Sequence, residues 1–283
     1  MAAAGVSATG VSAMRIARFA HEGREQWGRV EGDLVRASVE PLTLAEVAAS
    51  DGMLERSIPL ADVALLAPVL PDTKILCVGL NYRDHVAETG RELPDKPVIF
   101  TRYPDSLVGP DAAIVVPAVS HRLDFEAELA VVIGAGGRAI PAERALDHVL
   151  GYTLLNDGSV RDFQRHTSQF TPGKNFEASG SVGPWIVARD AVGDLGPQRI
   201  TLTLGGEQLQ SSTLDQLIFG IPELIAYIST FTPLQPGDII ATGTPGGVGS
   251  VRSPRRWMTP GEKVVVAVEG IGELRNPIVG EAA

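Results

Sequence analysis

The 283-residue chain carries 24 Lys and Arg against 34 Asp and Glu, a net charge of −10. That balance argues against nucleic acid and anionic membranes as partners, because the long-range field repels polyanions. Composition is globular, no run of about 18 apolar residues marks a transmembrane helix, and the single Cys77 excludes an internal disulfide framework and fits a reducing, cytoplasmic setting.

Residues 1–13, MAAAGVSATGVSA, lack the charged start and strong apolar centre of a signal peptide, so they read as a flexible tail, with Met14 as an alternative start. Short alternating segments at Ile16–Phe19, Gln26–Val30 and Leu34–Arg36 are separated by HEG and EGD turns, which predicts a small antiparallel sheet. Leu42–Ala49 has helical composition. Pro59, Pro68 and Pro71 then mark a linker. This divides the chain into a tail (1–13), a small β-rich N-terminal domain (14–70) and a larger domain (71–283).

Beyond Lys74, KILCVGL reads as a buried strand and NYRDHVAETG as a short helix closed by Gly90. ELAVVIG is a continuous apolar strand, and PAERALDHVLG is expected to be a helix with Pro141 in its first turn. GYTLLND is a further strand, RITLTLGGEQL a hairpin arm, and IPELIAYISTF an amphipathic helix. GDIIATGTP and EKVVVAVEGIGELRNPIV are late strands. The irregular order favours an α+β domain with a mixed sheet over a doubly wound one.

The strongest chemical signal is HRLDFEAELAVVIG. Alternation along a strand puts Asp124, Glu126 and Glu128 on one face and Phe125, Ala127 and Leu129 on the other. Three carboxylates on one face repel unless a cation neutralises them, and a hard divalent ion with oxygen ligands does so. A charged edge strand is the plainer reading, but ELAVVIG is too apolar for an edge. Asp157, ending the next strand, either completes a metal site with Glu126 and Glu128 or caps a following helix. Two glutamates and an aspartate suit Mg²⁺ or Mn²⁺ better than Zn²⁺.

Gly134, Gly136 and Ala139 satisfy G-x-G-x-x-A after a strand. The expected helix begins after these glycines, so a dinucleotide site is the weaker reading. His85 and Glu88 are three apart on the short helix and share a face. A carboxylate beside an imidazole suits activation of water, and a plain surface helix remains the alternative. His21, His121, His148 and His166 have no such partner. Lys174, in TPGKNFEASG, can stabilise an oxyanion or simply be solvated. ATGTPGGVG offers Thr242, Thr244 and backbone N–H groups suited to a carboxylate, or forms a plain turn. No G-x-S-x-G elbow is present, and Cys77 lies in an apolar strand without an adjacent base.

Taken together, GLNYRDHVAE, LDFEAELAVVIG, GYTLLNDGSVRDFQ, TPGKNF, PGDIIATGTPGGVG and GIGELRNPIV resemble the fumarylacetoacetate hydrolase family, from about Lys74 to Val279. The resemblance implies a mixed β-sandwich roll with a small N-terminal β-rich domain, one Mg²⁺ or Mn²⁺ per subunit and a homodimer. It makes Glu126, Glu128 and Asp157 the metal ligands, His85 and Glu88 a water-activating pair on a lid, Gln164 and Lys174 contacts to substrate oxygens, and Thr244 a carboxylate contact. FTRYPDS departs from the family's commoner Lys-Pro pattern and brings Arg102 to the substrate side. The basic insertion SVRSPRR either borders the pocket or is solvated.

The expected substrate is a small 2-oxo acid, and the expected reaction is hydrolysis of an acylpyruvate-type C–C bond through a metal-stabilised enolate. Decarboxylation of a 2-oxo diacid and 2-hydroxymuconate-type isomerisation are the alternatives on the same site. A catalytically silent metal- or ligand-binding protein has no physical need for this full set of residues.

Overall fold

The computed structural model describes residues 13–50 and 52–282, so the expected tail lies, up to residue 12, outside the described residues. The expected N-terminal strands form at Arg15–His21, Arg24–Glu31 and Leu34–Ala37, with the turn residues Glu22, Gly23 and Gly32 at positive φ. The helix Leu44–Ala49 starts on a capping box. Thr43 accepts from the Glu46 N–H at 3.3 Å, and Glu46 accepts from the Thr43 N–H at 2.8 Å.

These N-terminal strands do not form a sheet apart. Arg15–His21 pairs with Gly180–Ala188, and the order then runs through Val149–Asn156, Ala127–Ile133, Ile239–Ala241, Ile75–Gly79 and Val98–Arg102, in a sheet of 12 described strands. A five-stranded sheet carries the 199–213 hairpin, the strands Lys263–Val268 and Gly272–Gly280, and Ile114–Val116. The hairpin turns at Gly205 and Gly206, both at positive φ.

Ala127–Ile133 explains its own sequence. It pairs on both sides, and both of its faces are covered. Leu129, Val131 and Ile133 pack with Leu202, Val264 and Val266 of the smaller sheet. Ala130 and Val132 pack on the other face with Ile16, Trp27 and Val47. A strand buried on both faces must be apolar throughout, which is why ELAVVIG does not alternate.

Two expectations need correction. PAERALDHVLG is not an α-helix: Ala142–His148 is a 3₁₀ segment preceded by Pro141, and the following residues join the strand Val149–Asn156. The G-x-G-x-x-A stretch opens no helix. Gly137 forms a bridge with Leu234, and a Cβ on Gly136 would sit 2.9 Å from the Leu234 oxygen, so the glycines serve close backbone packing. Ile221–Phe231 forms as expected and buries Leu224, Ile225 and Ile228. No helix among the described residues is long and apolar enough to cross a membrane.

Candidate active site

Glu126 and Glu128 flank Ala127 at the start of the central strand, on the face shared with Ala130. Asp157 directly follows the neighbouring strand, and its N–H donates to the Glu126 carbonyl at 2.9 Å. The register Ala127↔Asn156 therefore brings three carboxylates together. One ligand oxygen from each lies within 4.8 Å of the others, and all three side chains are buried.

Cations of the chain meet this charge unevenly. Lys174 Nζ lies 2.6 Å from Glu126 and 2.5 Å from Asp157. Arg161 donates to Glu126 at 2.6 Å and to Asp124 at 2.7 Å. Arg102 donates to Asp157 at 2.7 Å. Burial pushes the Glu126 carboxyl up, but Arg161 and Lys174 outweigh it and hold the group below its ordinary range. Burial pulls the Lys174 ammonium down, and Asp157 and Glu126 more than restore it.

Glu128 is the exception. Among the described residues it has no ion pair and accepts one backbone N–H, from Gly243 at 2.8 Å. Burial, with Asp157 and Glu126 beside it, pushes its carboxyl well up. A buried carboxylate next to two others, without its own cation, is what a divalent ion would relieve. Three hard oxygen donors suit Mg²⁺ or Mn²⁺ rather than Zn²⁺, so the residues present fit such an ion.

The backbone under Asp157 leaves no slack. A Cβ on Gly158 would lie 1.8 Å from the Ser179 oxygen. Gly158→Ala must therefore shift the Asp157 segment, and should cost about 1–3 kcal/mol of stability as well as Mg²⁺ affinity. Denaturant melts and a Mg²⁺ titration measure both; a variant matching the parent would show that this strand pair yields freely.

The helix Arg83–Thr89 overhangs the carboxylates. Gly90, left-handed at φ 65°, ends it, and Arg91 donates back to the Val86 carbonyl. His85 Nδ1 lies 2.7 Å from Glu88 Oε1. An ionised Glu88 can only accept, so Nδ1 carries a proton, and in the neutral ring Nε2 holds the free lone pair. The loop after Ile239–Ala241 latches this helix. Gly246 N–H donates to Asp84 at 3.1 Å, Gly247 N–H donates to Glu88 at 2.7 Å, and Ser212 donates to Asp84 at 2.9 Å. The same loop passes close to Asn81: Gly243 sits at φ 104°, where a Cβ would meet Asn81 at 2.8 Å.

A cavity of 590 Å³ lies between these parts, and His85, Glu88, the three carboxylates, Gln164, Lys174 and Thr244 all line it. The model for the C-terminal domain of fumarylacetoacetate (FAA) hydrolase matches residues 74–279, which include every one of them. The chain belongs to the fumarylacetoacetate hydrolase family. A second model, Rv2993c-like N-terminal, matches residues 14–68. The bovine mitochondrial oxaloacetate tautomerase FAHD2A is 41% identical over 224 residues, covering 78% of this chain and 71% of the relative. Two solved structures each cover 95% of the chain and 100% of their own. One is a 2-hydroxyhepta-2,4-diene-1,7-dioate isomerase from Mycobacterium marinum, at TM-score 0.82 and 34% identity. The other is a fumarylacetoacetate hydrolase from Exiguobacterium antarcticum, at TM-score 0.85 and 35% identity. These names place the chain among enzymes.

Within this family framework the smaller contacts take definite forms. Gln164 Oε1 accepts from Arg161 at 2.9 Å, which leaves its amide N–H groups for the cavity. Thr244 accepts from Gln210 at 2.9 Å, which leaves its hydroxyl proton to donate. Arg102 corrects the sequence expectation. It does not line the cavity but lies fully buried behind Asp157, and all five of its donors are satisfied by Asp157, Gly158, Ser179 and Ser106. Asp124 also leaves the metal cluster. It binds Arg161 and the N–H groups of Gly249 and Ser250, and so anchors a loop on the cavity wall. Of the basic insertion, Arg252 donates to the Gly247 carbonyl at 2.9 Å and Arg256 pairs with Glu262. Cys77 is buried, and burial pushes its thiol well up, which suits a structural thiol rather than a nucleophile.

Proposed function

We propose that the protein is a divalent-cation-dependent enzyme that relocates a proton within a small 2-oxo acid, interconverting keto and enol forms. One observation carries this reading: the His85–Glu88 pair and the carboxylates of Glu126, Glu128 and Asp157 line the same cavity. The names of the bovine tautomerase and the M. marinum isomerase support it, since both denote isomerisation.

Glu126, Glu128 and Asp157 would hold one Mg²⁺ or Mn²⁺ per subunit, and that ion supplies Lewis-acid stabilisation to charge developing on the keto oxygen of a 2-oxo acid. His85 Nε2 takes the proton from the carbon beside the keto group and returns it to the substrate oxygen, and Glu88 stabilises the imidazolium in between. Gln164 and Lys174 offer N–H donors to substrate oxygens, and Thr244 offers its hydroxyl to the carboxylate.

The test follows the ultraviolet enol band of oxaloacetate with Mg²⁺ and after EDTA treatment. The protein should accelerate keto–enol exchange only with the metal; no acceleration in either condition overturns the reading. Hydrolysis of an acylpyruvate is a second reading, favoured by the same His85–Glu88 pair, because an imidazole backed by a carboxylate is equally suited to take a proton from water. Release of acetate and pyruvate from acetylpyruvate would establish it. The resemblance to the family extends the proposal to a homodimer: light scattering at micromolar concentration should give about twice the 29.9 kDa chain mass, and a value near one chain mass would contradict this.

A further inference from the structure

The acids of the cavity wall have hydrogen-bonding partners within the chain, and all but Glu128 have a basic one. Glu126 pairs with Arg161 and Lys174, Asp157 with Arg102 and Lys174, Glu88 with His85, and Glu128 accepts from Gly243. Two guanidinium groups on the same wall have none. Arg91 and Arg165 line the cavity, and among the described residues neither guanidinium group has a hydrogen bond or an ion pair.

The two cations come from different elements. Arg91 stands one residue past Gly90, at the end of the helix that carries His85. Arg165 directly follows Gln164 at the end of the turn Arg161–Gln164. Partial burial, with Arg161, Arg255 and Arg91 nearby, lowers the Arg165 guanidinium from its ordinary value, and Asp124 offsets this only in part. The chain has 34 acidic side chains, yet none of the described ones pairs with either cation. Gathering like charges without a counter-charge costs free energy, which an anion from outside would recover.

We propose that Arg91 and Arg165 form a second anion subsite at the cavity mouth, which binds the far carboxylate of a 2-oxo dicarboxylic acid. The proposal rests on the reading of the site as one for 2-oxo acids, and it assigns the two residues that distinguish a dicarboxylate from a monocarboxylate there. The 2-oxo acid end lies at the three carboxylates and the far carboxylate at the mouth. Because Arg91 follows directly on the Gly90 cap of the helix of His85, the far carboxylate also holds that helix over the substrate. A monocarboxylate of the same length reaches the floor of the cavity but leaves both guanidinium groups unpaired.

The experiment compares 2-oxoglutarate with 2-oxopentanoate, which have equal chain length and differ by one carboxylate, by calorimetry with saturating Mg²⁺. The parent protein should bind 2-oxoglutarate about tenfold more tightly, as expected of one charge-assisted contact in a partly solvated site. Raising ionic strength should shrink that preference. In R91Q/R165Q the preference should vanish, while 2-oxopentanoate binds as it does to the parent. Both side chains are exposed, and circular dichroism checks that the variant is folded. A preference that survives in the variant, or equal losses for both acids, overturns the subsite and leaves the 2-oxo acid reading standing. Failure of both acids to bind the parent protein overturns that reading and the subsite with it.

Discussion

Glu128→Gln is expected to abolish Mg²⁺ binding while leaving the metal-free protein at least as stable as the parent. The two expectations follow from one arrangement. Glu128 is buried beside two other carboxylates, and among the described residues its single hydrogen bond comes from the Gly243 N–H at 2.8 Å. A glutamine oxygen accepts that bond equally well, and the lost negative charge relieves repulsion from Asp157 and Glu126. The cation loses one of its three anionic ligands. If that removes about 4 kcal/mol of charge stabilisation, turnover falls roughly 10³-fold. Glu126→Gln and Asp157→Asn are less clean, because each strands a buried cation of the chain, a change that costs about 3–5 kcal/mol by itself. Thermal melts in EDTA and in Mg²⁺ separate the outcomes. A Mg²⁺-induced rise in Tm that persists in Glu128→Gln would remove Glu128 from the ligand set.

His85→Ala should lower turnover by about 10²–10⁴-fold, the usual worth of a general base, with Mg²⁺ affinity unchanged. The imidazole lies over the carboxylates without joining them: it is hydrogen-bonded to Glu88, at 2.7 Å. Glu88→Gln should lose less, because Nε2 remains in place and only its support weakens. If hydrolysis and enolisation are both measurable, loss of hydrolysis alone would make His85 the base for water. Equal loss in both would assign it the proton common to both. Weaker Mg²⁺ binding in His85→Ala would show instead that the helix is part of the metal site.

The carboxylate geometry was readable because strand alternation is a strong local rule. Phe125, Ala127 and Leu129 all pack into the core between the sheets, as alternation requires, and Glu126 and Glu128 take the opposite face. The short helix and its His85–Glu88 pair were readable for the same local reason, a three-residue spacing followed by a left-handed glycine. What failed depends on distant partners. Arg102 was expected at the substrate because it stands where the family pattern differs, but 55 residues separate it from the Asp157 it neutralises, and no spacing rule connects them. Arg161 and Asp84 were missed as positioning residues. Charge accounting offered a signal for Arg161, since buried carboxylates demand cations, but it does not say which ones. Asp84 acts through backbone N–H groups 162 residues away, which leave no trace in side-chain identity. The 3₁₀ segment after Pro141 has helical composition over too few residues to settle its winding.

The central strand and the His85 helix are held by different kinds of support. Ala127–Ile133 is hydrogen-bonded on both sides and covered on both faces, so its amides can open only when the whole sheet does. Arg83–Thr89 is a helix of seven residues, latched by the side chains of Asp84 and Glu88 to one loop, by Asp84 to Ser212 and by Arg83 to the carbonyls of Asp215 and Leu217. Deuterium uptake should therefore divide the two halves of the candidate active site by timescale, early at 83–90 and last at 127–133. Mild denaturant should silence the enzyme through its helix while the carboxylate platform remains folded, so inactivation and global unfolding will have separate midpoints.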